Sequence, residues 1–164
     1  SPKGAYVACD FGTQNATVFL LFQMQSDTGT WIETREYYYS GREQKRQKTV
    51  GEYVADLKRW LNGTKPEKVI VDPSALPLIT ELKQNGLPIQ AANNDVLSGI
   101  LDVQTMLQTG RLKIYRECKR TIQEFGVYAW DPDREDVVIK ENDHCMDSIR
   151  YFVRTKRLVK RAGG

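Results

Sequence analysis

Ala5-Tyr6-Val7-Ala8-Cys9-Asp10-Phe11-Gly12-Thr13 is the stretch on which the reading of the fold turns. It is short, apolar and closed by Gly-Thr, the pattern of a buried strand, yet an acid stands near its end. Residues 16–25 (ATVFLLFQMQ) read as a second strand, Ser26-Asp27-Thr28-Gly29 as a turn by composition, and residues 31–39 as a third strand, so the opening predicts an antiparallel meander. The period then changes. Val50, Tyr53, Val54, Leu57, Trp60 and Leu61 recur at helical spacing until Asn62-Gly63 stops the helix. Val69-Ile70-Val71 is a β-branched run ending at Asp72-Pro73, the pattern of a central parallel strand that leads into a helix over 75–85. Further on, the pattern predicts a short strand at 87–91, a helix over 95–109, a strand at 112–115 and a helix over 119–125. A hairpin of 127–130 and 136–140 around Asp131-Pro132-Asp133 follows, then a closing helix from about His144 to Thr155. Strands that first meander and then alternate with helices predict an α/β chain. Its mixed β-sheet, with three antiparallel strands and then parallel ones, should be flanked by helices on both faces.

The 164 residues are about one domain's worth, and 40% hydrophobic with 27% charged is the balance of an ordinary globular protein. No apolar run is long enough for a membrane span, so no membrane partner is expected. Ser1-Pro2-Lys3-Gly4 has no signal-peptide layout and no initiator Met, so a piece of a longer cytoplasmic protein is expected. Cys9, Cys118 and Cys145 form no CxxC pair, and an odd count speaks against a secreted disulfide framework. The net charge of +3 announces no partner by itself, but its distribution is uneven. Basic clusters stand at Arg42, Lys45, Arg46 and Lys48, at Arg111 to Arg120, and at Arg150 to Arg161, where Arg154, Lys156 and Arg157 meet no acid. Residues 131–143 hold six acids against two bases. Segregation of this kind suits a protein that grips a polyanion in one place and cations in another.

Asp10 and Asp72 both sit at the ends of apolar strands, where a carboxylate is costly unless paired or bound to a cation. Asp72 before Pro73 also fits a helix cap, and Asp10 before Phe11-Gly12 a turn. Two such acids in one sheet can converge at its carboxyl edge, where α/β proteins place their sites. On the last helix His144 and Asp147 are three apart and share a face, while Asp143 lies at the helix start. His144 is the chain's one histidine, which excludes most His-based zinc sites; oxygen ligands point to Mg²⁺ or Mn²⁺.

With Cys9-Asp10-Phe11-Gly12 in the first strand, Asp72 after Val69-Ile70-Val71 and acids on the closing helix, the chain resembles ribonuclease H-like nucleases. More narrowly, four segments carry a second likeness: Gly99-Ile100, Gly110-Arg111-Leu112, Glu124 with Tyr128-Ala129-Trp130, and the block Asn142-Asp143-His144-Cys145-Met146-Asp147-Ser148-Ile149-Arg150-Tyr151. Together they are similar to the C-terminal nuclease domain of the large terminase subunit of tailed double-stranded DNA bacteriophages. The resemblance implies an endonuclease that cuts concatemeric DNA by two-metal phosphodiester hydrolysis. It implies Asp10, Asp72 and Asp147 as ligands of two divalent ions (Mg²⁺ or Mn²⁺), and His144 as an auxiliary catalytic residue. Arg42, Lys45, Arg46, Lys48, Arg154, Lys156 and Arg157 would hold double-stranded DNA by its backbone. It further implies an N-terminal packaging ATPase in the same full-length protein, a small terminase subunit and a portal as partners, and the host cytoplasm as location. The chain has no GxxxxGK[ST] phosphate loop, so it is expected to be the nuclease domain alone (1–155) with a basic tail (156–164).

Two other readings remain. A Holliday-junction-resolvase-like or other ribonuclease H-like nucleic-acid-processing module would share the scaffold and prefer branched DNA. Asp10-Phe11-Gly12-Thr13 also matches the phosphate loop of actin-like sugar kinases, which need a second lobe with another glycine-rich loop; no Gly-Gly pair occurs here before Gly163-Gly164.

Overall fold

Side-chain alternation along the first strand divides the interior into two cores, one on each face of a single sheet. A computed structural model describes residues 4–12, 15–127, 129–130, 138–139 and 143–160. Strands β1 (Tyr6–Asp10), β2 (Ala16–Met24) and β3 (Trp31–Ser40) form the expected antiparallel meander. β4 (Lys68–Val71) adds parallel to β1, β5 (Ile89–Ala91) parallel to β4, and β6 (Leu112–Ile114) parallel to β3, giving the order β5-β4-β1-β2-β3-β6. Tyr6 and Ala8 point with Leu20, Phe22 and Ile70 into the core under α4 (Val96–Gln108) and α6 (His144–Thr155). Val7 and Cys9 point with Phe19, Leu21 and Val71 into the core under α2 (Val50–Leu61) and α3 (Leu76–Gln84). Helices thus cover both faces, as the alternation of period two requires. On the α6 side Phe152 stacks on Phe22 at 4.1 Å, and Trp31 meets its edge at 5.1 Å.

Most helix limits follow local signals. α2 starts in a Thr49/Glu52 capping box and ends at Asn62 in the left-handed region, and Asp95 caps α4 through the Ser98 amide. Two features differ from the sequence reading. A single-turn helix, α1 (Gly41–Gln44), capped by Ser40, has too few residues to show a period. Asp72 does not cap α3, whose N-cap is Ala75; instead its Oδ1 accepts from Ser74 N at 2.9 Å and its carbonyl from Ala75 N at 3.0 Å. The chain makes a full turn between strand and helix, which moves the helix start away from the acid. The C-terminal hairpin is present as β7 (Ala129–Trp130) paired with β8 (Val138–Ile139); its Asp131-Pro132-Asp133 turn lies outside the described residues, as do Arg161 and the end of the basic tail.

β3 carries a β-bulge. Leu21 faces Arg35 and Phe22 faces Glu33, so Thr34 is the additional residue and the alternation is reset. Glu33 and Glu36, three apart, therefore reach the same helix, α5 (Lys119–Val127), and both accept from the Thr121 hydroxyl, at 2.8 and 3.1 Å. Glu33 is fully buried. Burial, only partly offset by the hydrogen bonds from Thr121 and Cys118, pushes its carboxyl up to about 8. A raised acid favours the folded state below its unfolded value near 4.5 and loses that contribution as pH rises through about 8. Glu33→Gln should remove this loss. Urea unfolding of the wild type is expected to show stability declining between about pH 4.5 and 8, with the variant declining less steeply over the same range.

Candidate metal centre

The parallel pairing of β1 with β4 matches Ala8 to Ile70 and Cys9 to Val71, so Asp10 and Asp72 follow at the same level, on neighbouring strands, at the carboxyl edge. Alternation turns both toward α6. That helix spans His144–Thr155, and His144, Asp147 and Tyr151 recur along it at intervals of three and four, one above the other. His144 Nδ1 lies 3.0 Å from Asp10 Oδ2. An ionised Asp10 only accepts, so Nδ1 carries the proton. Asp147 completes the group: ligand atoms of Asp10, His144 and Asp147 all lie within 4.8 Å of one another. Asp72 stands beside this trio rather than in it, with Oδ2 accepting from Asn94 Nδ2 and the Tyr151 hydroxyl, each at 3.4 Å.

The electrostatics follow from these contacts. The hydrogen bond to Asp10 raises His144 above its ordinary value against the opposing effect of burial, and the charges of Asp143 and Asp147 add to the rise. Burial raises Asp147; Arg150 opposes this, and Asp10 adds to it. Burial also acts upward on Asp72, but hydrogen bonds from Ser74, Asn94 and Tyr151 outweigh it and leave the carboxyl below its usual range. Burial, then the charges of Asp10, Asp147 and Asp72, hold the Tyr151 hydroxyl far above its usual value, so it stays a donor.

Several supporting groups carry no local sequence label. Arg150, buried between α4 and α6, donates to Asp147 Oδ1 at 2.5 Å and to the Asp95 carbonyl at 3.4 Å. Its i,i+3 spacing from Asp147 is a signal that helix periodicity alone could have supplied. Glu124 accepts from the Cys145 and Met146 amides, each at 3.1 Å. Asp143 sits at the N-cap, as expected, but makes no side-chain cap bond.

The basic candidates separate by topology. β3 runs in the same direction as β1, so α1 with Arg42 and Lys45 lies at the edge that bears Asp10. Among the described residues neither makes an ion pair, whereas Arg46 pairs with Glu52 and Lys48 is bound to Asp56, both at 2.5 Å. Lys48 also lies over the Tyr39 ring at 4.3 Å. The other group belongs to the far end of α6. Arg154 pairs with Asp102 of α4 at 2.9 Å, and Lys156 lies over the ring of Tyr6, which begins β1, at 3.9 Å. Arg157 adopts a positive φ of 51° just beyond the helix. The structure therefore does not bring Arg154, Lys156 and Arg157 to the acids.

A mixed sheet of this order, with acids ending two adjacent parallel strands and a helix laying a third across them, is a ribonuclease H-like fold. The large terminase subunit of Escherichia phage T5 is 25% identical over 152 residues, 88% of this chain and 33% of that protein. The structure of the large terminase from a thermophilic bacteriophage in complex with ADP is 40% identical and superposes with a TM-score of 0.90, over 97% of this chain and 41% of that one. The nuclease domain of the large terminase from bacteriophage SPP1, solved with bound Mn, matches at a TM-score of 0.70 and 16% identity, over 94% of this chain and 87% of that one. No family model matches. The chain is thus similar to large terminase subunits in sequence and to their nuclease domains in fold, as its motifs suggest, and it spans about a third of the T5 protein's length.

Gly99 of α4 is what lets Arg150 through: a Cβ there would lie 3.0 Å from Arg150 Cδ and 3.2 Å from its Cβ and Cγ. Gly99→Ala should therefore lose stability. Overpacking costs about 1–3 kcal/mol and outweighs the roughly 1 kcal/mol that alanine offers a helix. Chemical denaturation is expected to show a net loss of about 1 kcal/mol; a gain would mean that Arg150 moves aside without cost.

Proposed function

We propose that this chain is the metal-dependent DNA endonuclease domain of a phage DNA-packaging terminase, cutting concatemeric double-stranded DNA at the carboxyl edge of its sheet. The observation that carries the reading is the grouping of Asp10, His144 and Asp147 within 4.8 Å of one another, three donors from two elements 134 residues apart. Its support from outside is the run of large terminases among the relatives and the Mn held by the SPP1 nuclease domain.

The donor set fits a hard divalent ion, Mg²⁺ or Mn²⁺, since carboxylate oxygens predominate and no cysteine is exposed. Asp10 and Asp147 would hold one ion with His144 beside them. Asp72, on the strand next to Asp10, would hold a second together with Asp10. A pair of such ions, when bound, activates a water and stabilises the leaving oxygen of a phosphodiester. The chain's own residues do the rest. Asp10 orients His144 through Nδ1 and leaves Nε2 to accept or give a proton. Arg150 aims Asp147 and favours its charged form, and Tyr151 steadies Asp72. Arg42 and Lys45 are the cations best placed to hold the DNA backbone, with Arg46 and Lys48 next to them. Arg154, Lys156 and Arg157 would serve only a second, remote stretch of DNA. The packaging ATPase, small subunit and portal would act with this domain in the host cytoplasm. Among the described residues no helix is long and apolar enough to cross a membrane.

Plasmid cleavage with Mg²⁺, Mn²⁺ or chelator tests the reading. Chelated wild type should be inert. Asp10→Asn, Asp72→Asn and Asp147→Asn should lose more than the roughly 100-fold that outer-shell groups command, and His144→Ala about 10–100-fold. Asp143→Asn should cut. Activity in all three Asn variants at the acids would end the proposal, and a strong preference for four-way junctions would favour a resolvase.

For DNA binding, Arg42→Ala with Lys45→Ala should make the plot of log affinity against log salt shallower by about 2, one contact each. Lys48→Ala should leave the slope near wild type and lower stability, because buried Asp56 loses one of its two cations and keeps only Arg59 and the Tyr37 hydroxyl. An unchanged slope in the double variant would remove α1 from the interface.

A further inference from the structure

An α-helix leaves its first amides without intrahelical acceptors, and in α6 those amides stand between the two site residues. His144 is its first residue and Asp147 its fourth; Cys145 and Met146 lie between them. The N-cap residue makes no side-chain cap bond. The acceptors come instead from a neighbouring helix: Glu124 of α5 takes the Cys145 amide on Oε2 and the Met146 amide on Oε1, both at 3.1 Å and both buried. The same device holds α5 itself, where Glu36 of β3 takes the Arg120 amide on Oε1 at 2.7 Å and the Thr121 amide on Oε2 at 3.0 Å. Two carboxylates, each gripping the second and third amides of a helix, thus run in series from the sheet to the acids.

A two-point grip fixes more than the presence of a helical turn. Each residue advances an α-helix by about 100° of rotation, so a first turn that slips or frays carries His144 off Asp10 and Asp147 away from both. One acceptor would leave the turn free to pivot; two at the same carboxylate set its rotation. We infer that Glu124 is a positioning residue for the candidate cation site, holding His144 and Asp147 against Asp10 through the backbone of Cys145 and Met146. The inference rests on the proposed nuclease reading for its consequence in catalysis, though not for the geometry it describes.

His144 is the chain's one histidine, so its imidazole signal in a nitrogen-15 NMR spectrum needs no assignment. Four proteins are compared without metal at one pH: wild type, Glu124→Gln, Glu124→Ala and Asp102→Asn. Asp102→Asn weakens the pair with Arg154 near the other end of α6, away from Glu124, and serves as the stability control. Calorimetric titration with Mn²⁺ follows. Both Glu124 variants should move the His144 signal toward that of a solvent-exposed imidazole and weaken Mn²⁺ binding about 10–100-fold. Glutamine should do so less than alanine, because it keeps one acceptor. Asp102→Asn should lower the melting temperature and leave both readings at wild-type values. The inference is overturned if the Glu124 variants keep the wild-type signal, or if Asp102→Asn moves it as far. Should Glu124→Ala fail to fold, Glu124→Gln decides. If wild type neither binds Mn²⁺ nor cuts DNA, the nuclease reading fails, while the metal-free His144 signal still decides the positioning.

Discussion

Carboxylates brought together at a half-buried edge repel one another, and much of the surrounding structure is arranged to offset that repulsion. Asp10 and Asp72 come to one level because β1 and β4 pair in parallel with Cys9 opposite Val71. Asp147 is then laid near them by α6. Each acid is answered by a different donor: Asp10 by His144, Asp147 by Arg150, Asp72 by Ser74, Asn94 and Tyr151. The amino end of α6 also faces the acids, where a helix dipole favours negative charge. The fold can hold the cluster because each acid meets at least one donor.

Much of this is legible in the sequence, because it depends on short-range periodicity. The apolar run interrupted by Asp10, the β-branched run ended by Asp72 and the helical spacing of His144 and Asp147 each mark one element and one acid. Their limits fall within a residue or two of those expected. The convergence of Asp10 and Asp72 follows from their being strand ends in one sheet. What cannot be read is whatever depends on partners far along the chain. Glu36 caps a helix 84 residues away and Glu124 the next one 21 residues on, and nothing beside either glutamate marks it as a cap. Asp72 reads as a helix cap because Pro73 follows it, yet one turn of backbone separates it from α3.

Charge is the least readable property. Arg42, Lys45, Arg46 and Lys48 form one basic cluster in sequence, but folding divides it. Lys48 goes inward to Asp56 beneath Tyr37 and Tyr39, while Arg42 and Lys45 remain at the acidic edge. Arg154 lies between basic neighbours and on a helix that begins at the site, yet its partner is Asp102 of α4, and the helix has by then crossed the length of β1. Direction of travel, rather than composition, decides which cations can share a ligand with the acids. Counting basic residues cannot supply that direction; sheet topology does.

The bulge in β3 has a consequence for how this chain tolerates changes of length. Thr34 is the residue that brings Glu33 and Glu36 to the same face, so Glu36 can hold α5. Because the two glutamates stand three apart, regular pairing without the bulge would send Glu36 to the opposite face and remove the first support on the path from the sheet to α6. The turn at residues 25–30 carries no such burden, since its bonds close only on themselves. Relatives that differ in length should vary freely at that turn, whereas in β3 the bulge and the three-residue spacing of the two glutamates should be kept or lost together.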